Sequence, residues 1–141
     1  MYKIFIGEET MDDRVEVLFF PGKNTPLKRY IPYFKKLVLK IPREEIETLT
    51  ILCHSKGLEN AIQYCKKNNL TSRIVSMDGV RSVVPDDIKV VCFRPEHKRN
   101  IGDEKMYHKI IYYETNQETS HYPYMNKQVR DQIVKEIMID N

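Results

Sequence analysis

Short apolar runs bounded by turn residues alternate along this chain with stretches whose apolar positions recur at helical spacing. Runs at residues 2–6, 15–20, 49–53, 73–77, 89–93 and 109–113 are rich in Ile, Val, Phe and Tyr, which predicts six strands. The inner runs are continuously apolar instead of alternating, as in parallel strands covered on both faces. Three helices are expected. The first, residues 27–39, puts Tyr30, Ile31, Phe34, Leu37 and Val38 on one stripe, with Pro32 tolerated near its start. The second spaces Leu58, Ala61, Ile62 and Cys65 at i, i+3, i+4 and i+7 and meets a stop signal at Asn68 and Asn69. The third, residues 127–139, turns Val129, Ile133 and Ile137 inward behind a capping Asn126. This alternation predicts an α/β fold: a three-layer sandwich around a mostly parallel sheet of about six strands, with ligands outside the carboxyl ends of the strands.

Composition narrows the reading. A chain of 141 residues supports one domain, 1–141, with a single core. The connection from Asp78 to Ile88 leaves no room for an inserted cap domain. An apolar content of 41% and a charged content of 30% are those of a soluble globular protein, and no apolar run approaches the roughly 18 residues of a membrane span. Residues 1–9 carry charge too early for a secretory signal. Cys53, Cys65 and Cys92 have neither a disulfide framework nor zinc-type spacing, so they are expected to be reduced core residues of a cytoplasmic protein without metal or cofactor. The net charge of +3 is spread over 23 basic and 20 acidic side chains, which argues against nucleic acid as a partner, although Lys35-Lys36, Lys66-Lys67 and His97-Lys98-Arg99 form short basic clusters.

Candidate chemistry begins at Cys53-His54-Ser55-Lys56-Gly57, where an apolar run ends in a serine and a helical pattern follows at once. A strand that turns sharply into a helix holds its corner residue in a strained conformation and brings the residues two before and two after it together, so both must be small. Cys53 and Gly57 meet that requirement, and the Lys56 amide at the opening of the helix can stabilise an oxyanion. A serine needs a general base and a group that orients the base. His121 stands after the last predicted strand and before the last helix. His54 is expected to point into the fold and pack; His97 and His108 lie in polar sequence and should be solvated. For the acid, the candidates are Glu96, just beyond the strand at 89–93, Asp103, in a turn-like segment, and Asp78, in an Asp-Gly pair that is also a turn signal. At Pro21-Gly22-Lys23, Gly22 lets the backbone turn inward and offer the Lys23 amide as a second oxyanion donor.

The corner at Ser55 resembles the nucleophile elbow of the α/β-hydrolase family, G-x-S-x-G, with Cys53 in place of the first glycine. The resemblance extends from about Val15 to Ile139. Its features keep the family's order: an early strand followed by Gly22, the elbow, an acid after a later strand, and His121 before a terminal helix. Pro21 replaces the histidine of the family's common His-Gly, and a strand and a helix are missing before the elbow. The resemblance implies a minimal α/β-hydrolase-like domain without a cap. It also implies a serine esterase or thioesterase acting through Ser55, His121 and Glu96, with Lys56 and Lys23 at the oxyanion. The substrate would be a small-molecule or carrier-bound acyl group. The competing expectation is a non-catalytic scaffold whose uncovered faces or strand edge meet a partner or a second copy of the chain.

Overall fold

In a computed structural model, residues 2–6, 15–34, 38–39, 50–70, 73–80, 82–115 and 120–138 are described. Seven strands form one sheet: β1 (Tyr2–Ile6), β2 (Val15–Phe20), β3 (Val38–Leu39), β4 (Thr50–His54), β5 (Arg73–Met77), β6 (Lys89–Pro95) and β7 (Lys109–Tyr113), in the order β3-β1-β2-β4-β5-β6-β7. The five strands from β2 to β7 in that order run parallel, and β1 is antiparallel to both β2 and β3. The parallel sheet and its helices make this an α/β fold.

Each of the six expected strands has its counterpart, and the seventh corrects the expected first helix. Within residues 27–39 the described chain forms one 3-10 turn, Leu27–Arg29, followed by further turns, and ends in β3. Pro32 has no N–H for a helical bond, and the turns around it are closed by the amides of Tyr33 and Phe34 on the carbonyl of Tyr30. The burial that suggested a helix survives, because Leu27, Tyr30 and Phe34 still enter the core. Residues 35–37, and the stretch before the elbow strand at 40–49, lie outside the described residues.

Alternate residues of the strands feed two apolar layers. Val17, Phe19, Leu52, Val75 and Val91 meet Tyr30, Phe34 and helix α3 (Lys127–Met138) through Val129, Ile133 and Ile137. Leu18, Ile51, Cys53, Ile74, Val90 and Cys92 meet helix α1 (Gly57–Lys67) through Leu58, Ala61, Ile62 and Cys65. The sheet is therefore covered on both faces, which is why β5 is buried along its whole length. Complete burial of a side chain such as Leu58 contributes roughly 2 kcal/mol. The three cysteines are buried, and none of them is in a disulfide.

Both helices end as their sequences dictate. Asn69 takes a left-handed φ of 53°, and the amides of Asn69 and Leu70 fold back onto the carbonyls of Lys66 and Cys65, closing α1 with a Schellman motif. The Asn126 side chain accepts from the amides of Gln128 and Val129 at the start of α3. Near the other end of α3 the buried Glu136 pairs with Arg73 of β5 and Lys109 of β7, fixing the helix beneath the sheet. A short helix α2 (Asp103–Met106) lies between β6 and β7, and no described helix is long and apolar enough to cross a membrane.

Gly57, the first residue of α1, packs against the carbonyl of Phe20 so closely that an added Cβ would overlap that oxygen. A Gly57→Ala substitution is expected to destabilise the fold by about 1–3 kcal/mol, as overpacking generally does. Urea unfolding should show the midpoint fall without a change of slope.

Candidate functional site

Ser55 follows β4 directly and has a φ of 55°, a region sparsely populated by non-glycine residues and costing on the order of 1–3 kcal/mol. Its amide donates to the carbonyl of Met77 at the end of β5, while its carbonyl accepts from Leu58 in α1 and from Val80 beyond β5. The corner is thus clamped from both sides. Of the two flanking positions, Cys53 is fully buried, and Gly57 must be small because it sits against the carbonyl of Phe20 on the neighbouring strand.

The Ser55 hydroxyl lies 2.9 Å from Nε2 of His121, and Nδ1 of the same ring lies 2.6 Å from Oδ2 of Asp78. An ionised carboxylate can only accept, so Nδ1 carries a proton and Nε2 is left to accept from the serine O–H. Asp78 is 4% exposed. Burial alone would raise its pKa, but hydrogen bonds from His121 and Lys98 outweigh that penalty and hold it below the usual carboxylate value. The Lys98 ammonium donates to the same Oδ2 at 2.8 Å.

The carboxylate at His121 is therefore Asp78 and not Glu96. Glu96 is exposed in the 3-10 turn after β6 (Glu96–Lys98), where it makes two hydrogen bonds to Arg99. Asp103 is fully buried and serves structure, accepting from Tyr112 and the amide of Asn100 beside Arg94. The reason is topological: β5 is the direct neighbour of β4, so the residue after β5 arrives next to the corner, whereas the end of β6 lies one strand further away. Asp78 itself adopts a φ of 47°, and its amide donates to the carbonyl of Phe93. A Cβ on Gly79 would collide with Ser76 and Leu58, so the Asp-Gly pair that reads as an ordinary turn is a close approach that presents the carboxylate.

A cleft of about 320 Å³ runs over the serine, lined by Gly22, Lys23, Thr25, His54, Ser55, Lys56, His121 and Tyr122. Both expected oxyanion residues, Lys23 and Lys56, border it together with Ser55 and His121. Beyond Lys23 the surface continues into a second hollow of about 470 Å³ that includes Phe20, Pro21, Asn24, Pro26 and Asn60. Among the described residues no cluster of three or more His, Cys, Asp or Glu is arranged to hold a metal ion. His97 and His108 are exposed.

His54 points into the fold as expected, and it also makes directed hydrogen bonds. It is 2% exposed, and its ring contacts Tyr30 at 2.9 Å through Nδ1 and the backbone oxygen of His121 at 2.7 Å through Nε2. Burial is the main cause that pushes its pKa down to about 4, so the ring is neutral at ordinary pH. Tyr30 was legible only as an apolar helix position; nothing in its spacing marked it as a hydrogen-bonding partner of a histidine.

Comparison of the chain with family models, with curated proteins and with solved structures returns no match. The serine, imidazole and carboxylate geometry and the cleft above it must carry the functional reading.

A neutral buried His54 makes stability depend on pH in a definite direction. Between the unfolded value near 6.5 and the folded value of about 4, the unfolded chain binds the proton and the native one does not. The contribution is thus fully present above about pH 6.5 and is lost as pH falls toward 4, by on the order of 3 kcal/mol. Urea midpoints at pH 7 and 4.5 should diverge in the wild type and converge measurably in His54→Gln, which has no such proton to bind.

Proposed function

We propose that this protein is a serine hydrolase that cleaves an ester or thioester through an acyl-enzyme at Ser55, with His121 as general base and acid and Asp78 as the group that orients it. The observation that carries the reading is the unbroken hydrogen-bonded series from the Ser55 hydroxyl through both nitrogens of His121 to Asp78, beginning at a residue held at positive φ. Ordinary structural serines have no need of all three conditions. The resemblance to α/β-hydrolases supports it further: the order serine, acid, histidine is kept with Asp78 as the acid, and some lipases resembling that family also take the acid from this earlier strand.

In the proposed reaction the Ser55 oxygen attacks the acyl carbon as its proton passes to Nε2 of His121, and Asp78 stabilises the resulting imidazolium. The amides of Lys56 and Lys23 receive the oxyanion. Collapse breaks the bond to the leaving oxygen or sulfur, which takes the proton from Nε2. Water then attacks the acyl-serine with His121 again as base, releasing the acid and restoring the serine. Lys98 favours the carboxylate form of Asp78, so the acid partner stays ionised through the cycle.

Substrate charge follows from the lining. Two cationic residues, Lys23 and Lys56, border the cleft, and among the described residues that line it none is acidic. A positive cleft favours an acyl or leaving group that carries an anion, whether on a small molecule or on an acyl carrier.

Fluorophosphonate labelling tests the chemistry. The wild type should label and Ser55→Ala should not; Asp78→Asn should lower kcat/KM by about 10³- to 10⁴-fold, while Glu96→Gln stays at wild-type rate. A well-folded wild type that never labels would support the scaffold reading instead. For substrate charge, a carboxylate-bearing half-ester should exceed its neutral isostere in kcat/KM by about 5-fold at low salt, and the preference should shrink in high salt.

A further inference from the structure

Tyr30 and His54 take no part in the bond-making steps, yet they join the two loops those steps depend on. The oxygen of a backbone carbonyl can only accept, so at the 2.7 Å contact His54 Nε2–H donates to the carbonyl of His121. In the neutral ring Nδ1 is then an acceptor, and the partner at 2.9 Å is the Tyr30 hydroxyl, which must donate. The Tyr30 oxygen in turn accepts from the amide of Gly22 at 2.9 Å. Three hydrogen bonds of one polarity therefore run from the backbone beside Lys23 to the backbone of the base.

The series is buried and held on all sides. Tyr30 is fully buried and His54 is 2% exposed. The rings of Tyr30, Tyr122, Tyr124 and His121 lie 5.6, 5.8, 5.3 and 4.9 Å from that of His54, so aromatic rings flank the imidazole on several sides. A core needing only volume at this point would use Leu or Phe, since burying two polar side chains costs free energy that their mutual hydrogen bonds only offset. Placement is the more specific clue. His54 is the residue before the nucleophile, so a single ring at the corner of β4 is linked at once to the Gly22–Lys23 loop and to the His121 loop. Tyr113 adds a second tie to the latter by donating to the carbonyl of Ser120 at 2.7 Å.

Resting on the hydrolase reading of Ser55, we propose that Tyr30 and His54 are positioning residues that hold the Lys23 oxyanion amide and the His121 base in register with the nucleophile through one shared hydrogen-bonded chain. They act through the two loops on the geometry of the transition state, so their loss should appear chiefly in kcat and leave KM nearly unchanged.

The test is steady-state hydrolysis of a chromogenic ester by Tyr30→Phe, His54→Leu, His54→Gln and the double variant Tyr30→Phe/His54→Leu, each checked for folding by near-UV circular dichroism. Tyr30→Phe and His54→Leu should each lower kcat by about 10- to 100-fold with KM within about 3-fold. Because both break one chain, the double variant should be little worse than the more impaired single, a clear departure from additivity. His54→Gln keeps an N–H at the position of Nε2 and should recover a large part of the rate lost in His54→Leu. Should His54→Leu fail to fold, Tyr30→Phe, which removes one oxygen and no volume of packing, carries the comparison alone. Wild-type kcat in Tyr30→Phe, or losses that simply multiply in the double variant, would overturn the proposal while leaving the hydrolase reading intact. A wild type that neither hydrolyses the ester nor labels with fluorophosphonate would overturn both.

Discussion

Everything at this site hangs on the close approach of Gly57 to the carbonyl of Phe20. A backbone that leaves β4 and enters α1 without a loop must pass Ser55 through a left-handed conformation, and it can do so only where a side chain is absent two residues later. The hydrogen bond that Ser55 donates to Met77 and those it accepts from Leu58 and Val80 then hold what the serine would not adopt by itself. Sheet order does the rest. Since β2 and β5 flank β4, the loops after those two strands arrive on either side of the corner, one bringing Gly22 and Lys23, the other Asp78. The remaining partner, His121, comes from the far end of the chain, where the anchoring of Glu136 by Arg73 and Lys109 fixes α3 and with it the loop leading into that helix.

Electrostatics are divided between the inside and the surface. Asp78 is buried and would be costly as an anion by itself, but it receives one hydrogen bond from His121 and another from a half-exposed lysine. His54, whose ring lies 4.9 Å from that of His121, is kept neutral by burial, so it adds no positive charge beside that imidazole. Neighbouring imidazoles in the same cluster thus have different surroundings and different roles.

Much of this could be read from residue order alone. The six apolar runs, the stripe of Leu58, Ala61, Ile62 and Cys65, the asparagine pair that closes α1 and the Asn126 cap all depend on local preferences, and local preferences are visible in a sequence. What was not legible depends on neighbours. Val38 reads in sequence as part of one helical stripe with Tyr30 and Phe34, but whether that segment forms a helix or a turn followed by an edge strand is decided by the pairing of Val38 and Leu39 with β1. Glu96 and Asp78 both follow strands, and only the order of strands in the sheet shows which end lies beside Ser55. Tyr30 looked apolar because its ring is buried; its hydroxyl partners come from positions 22 and 54.

Under the proposed chemistry, the exposure of His121 has a kinetic corollary. With 38% of the His121 side chain accessible, solvent reaches the imidazole directly, and an acyl group on Ser55 would stand beside water from the moment it formed. Enzymes that seal their intermediates must open again before hydrolysis products depart, and that motion often limits turnover. Among the described residues the imidazole is not sealed in that way. The lifetime of the covalent intermediate would be governed by the reactivity of the bound acyl carbon, and transfer to acceptors other than water would have to compete with a solvent that is always present.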